Sequence, residues 1–405
     1  MHRHTRRGLA MAGAFVVATA LAMLVPARTG VWVPLHLFLA GALTSAIATV
    51  TQMLAVTWSA SPAPPRRVVT SQQWVLAVGA TLVVVGRESR HDVWTAVGGA
   101  LVTLALTAVI AILIHVRRAA RTPRFAPAID AYVLALAGAL TGIALGIGLG
   151  TGFLGTEARN AHVLMNLFAF VGVVIAGTLP YFAATQERSK MAASATPHRI
   201  RAVAAGLWLS AVAAASAAAL GLASATRIAL AAYGVGLAAL TTLLPEPQRK
   251  HFTWAGPRLY QLFAGIAWWL AMTLWIAASY GPHGIDRSVL LALVIGAYGQ
   301  VLAASLAYLV PVVRGGGHER LSSGFRTTRS WAGLVLGNLA TVFALLGHST
   351  LMAAALGVWV FDVIVRLAVA AQRSARGAWR ANLLRSRQSD AGSTITISSP
   401  STDAE

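Results

Sequence analysis

No cysteine occurs in the 405 residues of this chain. That absence excludes disulfides, iron–sulfur clusters, thiolate-held metals, covalent c-type haem and blue-copper centres. Charge is almost as scarce, at 11% of residues against about 25% in a soluble domain, so a water-soluble fold is excluded as well. Acidic residues are the rarest charged class: 12 Asp and Glu stand against 32 Lys and Arg, a net charge of +20. A surplus of that size suits nucleic acid, but here the cations lie in short loops between apolar runs, which is the pattern of membrane topology. Nucleic acid is therefore not an expected partner. The chain also lacks a helical i, i+4 histidine pair. Its Gly315-Gly316-Gly317 run follows no strand and precedes no Lys-Ser/Thr, so it reads as a turn and not as a phosphate cradle.

What the chain does have is apolar length. Hydrophobic residues make up 57% of it, and a helix of roughly 20 such residues crosses ~30 Å of hydrocarbon. Spans are expected at 8–25, 33–58, 73–87, 93–116, 129–153, 160–184, 201–223, 227–244, 258–280, 288–312, 330–347 and 349–371. The expectation is an all-α integral membrane protein with twelve transmembrane helices over 1–372. With the N-terminus inside, 25 Lys and Arg fall in cytoplasmic segments and six, Arg28, Arg87, Arg90, Arg159, Arg227 and Arg287, in external loops. Loop asymmetry of this kind places both termini in the cytoplasm of a plasma membrane. Span 1 follows a basic start and could be a cleaved leader; no small-residue cleavage site follows it, and a retained helix is expected. The tail, 373–405, is basic at Arg376, Arg380, Arg385 and Arg387 and suits anionic lipid. It then turns Ser/Thr-rich and is expected to be disordered.

Spans 2, 6 and 10 resemble one another. Gly172 aligns with Gly299, Gly177 with Ala304, Thr178 with Ser305 and Tyr181 with Tyr308; aligning His36 on His162 puts Ala46 and Thr51 at the same small-residue positions. The offsets are 126 and 127 residues. Three units of four helices, approximately 8–116, 129–244 and 258–371, explain this spacing where two units of six do not.

The polar residues inside the spans are the candidate site. His36 and His162 lie about one turn inside the outer ends of spans 2 and 6, at matching repeat positions, with Val289 at the third. Ionisable groups within a membrane are costly and usually face the bundle interior, and neutral imidazole suits haem iron or copper. The alternative is a pair of interfacial histidines hydrogen-bonded to neighbours. Asp362 and Arg366 are four apart on one face of span 12, which fits an intrahelical ion pair or an ion relay. Gln300 and Asn166, like Gln52, Gln261 and Asn338, fit hydrogen bonds between helices. Span 5 carries Gly138, Gly142, Gly146 and Gly150 along one stripe, where another helix can approach closely, either inside the bundle or across a subunit interface.

The segments Trp32-Val33-Pro34-Leu35-His36 through Thr44, Ala161-His162 with Asn166-Leu167, and Gly299-Gln300 with Tyr308-Leu309-Val310-Pro311 resemble motifs of membrane proteins related to haem–copper oxidase subunit I. That group includes NnrS-like proteins and the membrane blocks of actinobacterial copper-oxidase-annotated proteins. The resemblance implies twelve helices in three arcs, a haem-ligating histidine at His36 and a copper-ligating one at His162. The departures are a span 10 without histidine, a span 7 without the pair that completes a copper site, and Leu164 where related blocks often carry a second histidine. A complete oxygen-reducing centre is therefore not expected, and an enzymatic role is not the favoured one. The expected function is haem or copper binding near the outer face, in metal handling, electron transfer or NO-linked stress. The alternatives are a non-catalytic accessory subunit of a respiratory or copper enzyme, or a secondary transporter. Against the last, the loop 59–67 has neither the acid nor the glycine usual between spans 2 and 3 of the commonest twelve-helix transporter fold.

Overall fold

A computed structural model describes residues 2–25, 30–314 and 317–392. Among these the chain is helical with no β-strand; the one isolated bridge joins Gly281 and Gly284. The helices are α1 (His2–Met23), α2 (Trp32–Trp58), α3 (Arg66–Glu88), α4 (Asp92–Arg118), α5 (Pro123–Gly150), α6 (Ala158–Glu187), α7 (Pro197–Ala219) and α8 (Ala223–Thr241). They continue with α9 (Arg249–Ala255), α10 (Pro257–Ser279), α11 (Arg287–Arg314), α12 (Gly317–Thr327), α13 (Trp331–Leu345) and α14 (Ser349–Gly392). Spans 9 to 12 of the sequence are thus α10, α11, α13 and α14. Eleven of the described helices are long and apolar enough to cross a bilayer. α13, at 15 residues, reaches only about 22 Å at 1.5 Å per residue. The protein is an all-α, multi-pass membrane protein.

Three helices form the inside. The apolar windows of α2, α6 and α11 are 61%, 78% and 72% buried, against 22% for α1 and 11% for α14. The same three helices each contain a π-helical segment: Leu37–Leu43, Met165–Gly172 and Leu293–Gly299. A π segment loosens the regular i→i−4 ladder, and its carbonyls draw hydroxyl donors from outside the ladder. Thr44 donates to Leu39 O at 2.8 Å, Tyr298 of α11 to Leu167 O at 2.8 Å and Tyr233 of α8 to Phe168 O at 3.1 Å. Gly172 leaves the room for Tyr233, because a Cβ there would collide with the phenol oxygen and with Trp269.

The helix ends separate by charge. On one face Arg6 donates to Arg314 O (3.0 Å), Arg117 and Arg201 both reach Asp130 (3.0 and 2.8 Å), and Arg258 donates to Gln186 Oε1 (2.8 Å). The termini of α1, α4, α5, α6, α7, α10 and α11 meet in these contacts. The short α9 ends at Gly256, whose φ of 66° is a conformation that suits glycine, and Pro257 starts α10. α14 continues beyond its apolar window to Gly392 and takes in the first part of the basic tail. The Ser/Thr-rich 393–405 and, of the expected turn, Gly315 and Gly316 lie outside the described residues; Gly317 begins α12.

Candidate metal centre

His36 and His162, 126 positions apart in sequence, come together near the starts of α2 and α6. Their ring centroids are 6.4 Å apart and the planes differ by 13°. His36 Nδ1 lies 2.9 Å from the carbonyl of Trp32, one turn earlier, and the Trp32 indole stacks on its imidazole at 4.0 Å. His162 Nδ1 lies 2.8 Å from Gly142 O of α5. A carbonyl only accepts, so both Nδ1 atoms carry the proton and both Nε2 atoms keep a free lone pair. Asn166 Nδ2 donates to His162 O at 2.8 Å; with Nδ1 protonated, its 3.3 Å approach to Nδ1 is not a hydrogen bond.

The glycine stripe explains how His162 is held. A Cβ at Gly138 would stand 2.9 Å from that of Ala169, one at Gly146 would stand 2.7 Å from His162 Cε1, and one at Gly142 would overlap Asn166. Gly150 faces Thr95 of α4. The stripe is thus an internal bed on which α6 lies, with His162, Asn166 and Ala169 each seated over a glycine. Helices approach this closely in lipid where small residues line the seam.

The remaining polar residues make separate groups. Asp362 pairs with Arg366 at 2.8 Å, accepts from Ser330 Oγ at 2.5 Å, and Arg366 also donates to Arg329 O at 2.7 Å. This network ties α14 to the start of α13. Gln300 donates to Asn338 Oδ1 (3.3 Å), which also accepts from Trp268 (2.8 Å). Val289 of α11 is buried. Among the described residues no three His, Cys, Asp or Glu side chains gather into a metal site.

Two features escaped the sequence reading. The first is an apolar cleft of about 90 Å³ between α2, α6 and α11, lined almost wholly by apolar side chains from Leu43 to Leu54, Val171 to Phe182 and Tyr298 to Leu309. The second is the end of α6, where Glu187 is wholly buried and lies 3.1 Å from His251 of α9. The Gln186-Glu187-Arg188 run closing an apolar stretch was the available signal. A span ending at 184 left it in a loop.

No protein-family model matches the sequence, and no curated protein matches it.

Proposed function

We propose that the protein binds one copper(I) ion between His36 and His162 and handles that metal within the membrane, without reducing oxygen. The observation behind this reading is the pair of near-parallel imidazoles 6.4 Å apart, each with Nδ1 spent on a carbonyl. Two imidazoles that meet one ion end-on through Nε2, with metal–nitrogen bonds of ~2 Å, place their centroids about 6 Å apart. A carbonyl on the far ring nitrogen is also the usual way a ligating histidine is oriented. The donor set favours copper(I): two neutral nitrogens suit a monovalent d¹⁰ ion, whereas zinc takes four ligands. No third His, Cys, Asp or Glu joins them among the described residues to offset a second positive charge.

Haem fits less well. Trp32 stacks on one side of the pair and α5 lies against His162 on the other.

The same reading takes α13 as a twelfth crossing, puts both termini and the arginine-rich face in the cytoplasm of a plasma membrane, and divides the chain into three four-helix units. Support for the units comes from the apolar cleft. Each of α2, α6 and α11 gives it six residues in one spacing: 43, 46, 47, 50, 51, 54; 171, 174, 175, 178, 179, 182; and 298, 301, 302, 305, 306, 309. The offsets are 128 and 127 residues. On this register His36 aligns with Leu164 and not with His162, so the two histidines belong to one site without being repeat equivalents. An accessory-subunit reading relied on a free glycine stripe, and α6 and α4 occupy it. A copper enzyme receiving the ion is the partner this role implies.

The test is metal analysis with a copper(I) competition titration on purified wild type, His36→Ala, His162→Ala and the double variant. One copper per chain in wild type, lost in each variant, is expected. Copper in wild type no higher than in the double variant would overturn the proposal, and a Soret band lost with the histidines would replace copper by haem.

A further inference from the structure

A cleft of about 1040 Å³ opens on the arginine-rich face between the α6–α7 loop and the segment joining α8 to α9. Glu187, Arg188, Lys190, Lys250, His251 and Trp254 are among the residues lining it. Glu187 is the unusual member. Its side chain is 0% exposed; Oε2 lies 3.1 Å from His251 Nδ1 and 3.4 Å from Ser189 Oγ. Its other oxygen, Oε1, is buried with no hydrogen-bond partner. His251 Nδ1 also faces Gln248 N at 3.2 Å. One ring nitrogen cannot both donate to Glu187 and accept from Gln248, so a single proton on one of the two groups serves the Glu187–His251 contact. Under either assignment Oε1 still calls for a donor. Leaving a buried carboxylate oxygen unmet is unfavourable.

The rim has the opposite need. Arg188, Lys190 and Lys250 are exposed cations. Arg188 is held 3.8 Å from the Trp254 ring, which also takes Arg258 at 4.5 Å. A stacked guanidinium keeps its N–H edge for an anion. The cleft therefore has an unpaired carboxylate oxygen buried just behind its wall and cations at its rim.

We propose that this cleft binds a ligand carrying an ammonium with N–H donors next to a phosphate, the chemistry of phosphoethanolamine, with the ammonium on Glu187 and the phosphate among Arg188, Lys190 and Lys250. A phosphatidylethanolamine headgroup is the membrane-borne form; glycerophosphoethanolamine is the soluble one. A choline headgroup carries the same charges but no N–H, so it tests the role of Oε1 directly. The inference does not rest on the copper reading.

The experiment is native mass spectrometry of the full chain released from nanodiscs holding equal phosphatidylethanolamine, phosphatidylcholine and phosphatidylglycerol. Retention of the ethanolamine lipid about tenfold over the choline lipid is expected, the size of one charge-assisted hydrogen bond. Glu187→Gln should bring the two to parity, and the exposed double variant Lys190→Ala/Lys250→Ala should weaken retention of the ethanolamine lipid in a protein that still folds. Equal retention in wild type, a preference that survives Glu187→Gln, or glycerol-headgroup lipid held above both would overturn the proposal. Added glycerophosphoethanolamine that displaces the lipid assigns the site to the headgroup chemistry from either source. Failure to displace assigns it to the lipid.

Discussion

At the scale of single residues, the close seams make different glycines unequal. Gly146→Ala puts a methyl 2.7 Å from His162 Cε1, and overpacking of this kind costs about 1–3 kcal/mol. It should lower the thermal midpoint in detergent and weaken copper(I) binding together, because the clash falls on the ligand's ring. Gly206→Ala, where a Cβ meets nothing within 4 Å, should leave both unchanged or raise stability slightly. If the two variants behave alike, the seam is not what positions His162. Tyr298→Phe removes the donor to Leu167 O, a loss of about 1 kcal/mol. Amide exchange in the middle of α6 should rise with it. The sequence disclosed which residues could be ligands, since histidine inside an apolar run is rare. It did not disclose that Gly142 supplies the acceptor, because a backbone carbonyl has no signature of its own. Nor could it show the tyrosine donors, which come from α8 and α11 and depend on where α6 loosens.

The helices show their own logic at the next scale. α11 begins with Asp286, whose carboxylate accepts from Ser288 N at 2.7 Å, from Ser288 Oγ, and from Val289 N at 3.4 Å. The Ser288 hydroxyl and the backbone N–H groups hold its carboxyl below the ordinary range. A depressed folded pKa means that the cap stabilises above the unfolded value, near 3.9, and is lost as pH falls through the folded value. Asp286→Asn caps without charge, so its acid-unfolding curve should lack that component. Coincident curves for the two proteins below pH ~4 would remove the argument. Eleven of the twelve expected spans met the length and hydropathy a crossing needs. α13 fell short because its polar cap at Ser330 and the positive-φ Gly347 bound it to 15 residues. π segments were not foreseeable, because their side chains differ little from those of ordinary apolar helix.

For the whole molecule, an arrangement of three inner helices and a surrounding shell leaves an apolar cleft between α2, α6 and α11, with Leu54, Phe182 and Leu309 packed into one cluster there. The sequence pointed to this through Thr178 and Ser305, small residues at the three-helix junction, though a register of 126 residues for the first pair of spans differs from the 128 of the lining; Gly177 instead faces Ala131 of α5. Which side each loop faces is checkable with no background labelling, since the chain has no thiol. Single cysteines at Ser194 and Ser288 should react with an impermeant maleimide from opposite sides of sealed vesicles, and labelling from the same side would refute the topology.

The junction of the three inner helices has a consequence for packing. Its apolar cleft leaves about 90 Å³ for a larger side chain, and filling such space adds contacts. Ala46→Leu should therefore raise the thermal midpoint in detergent.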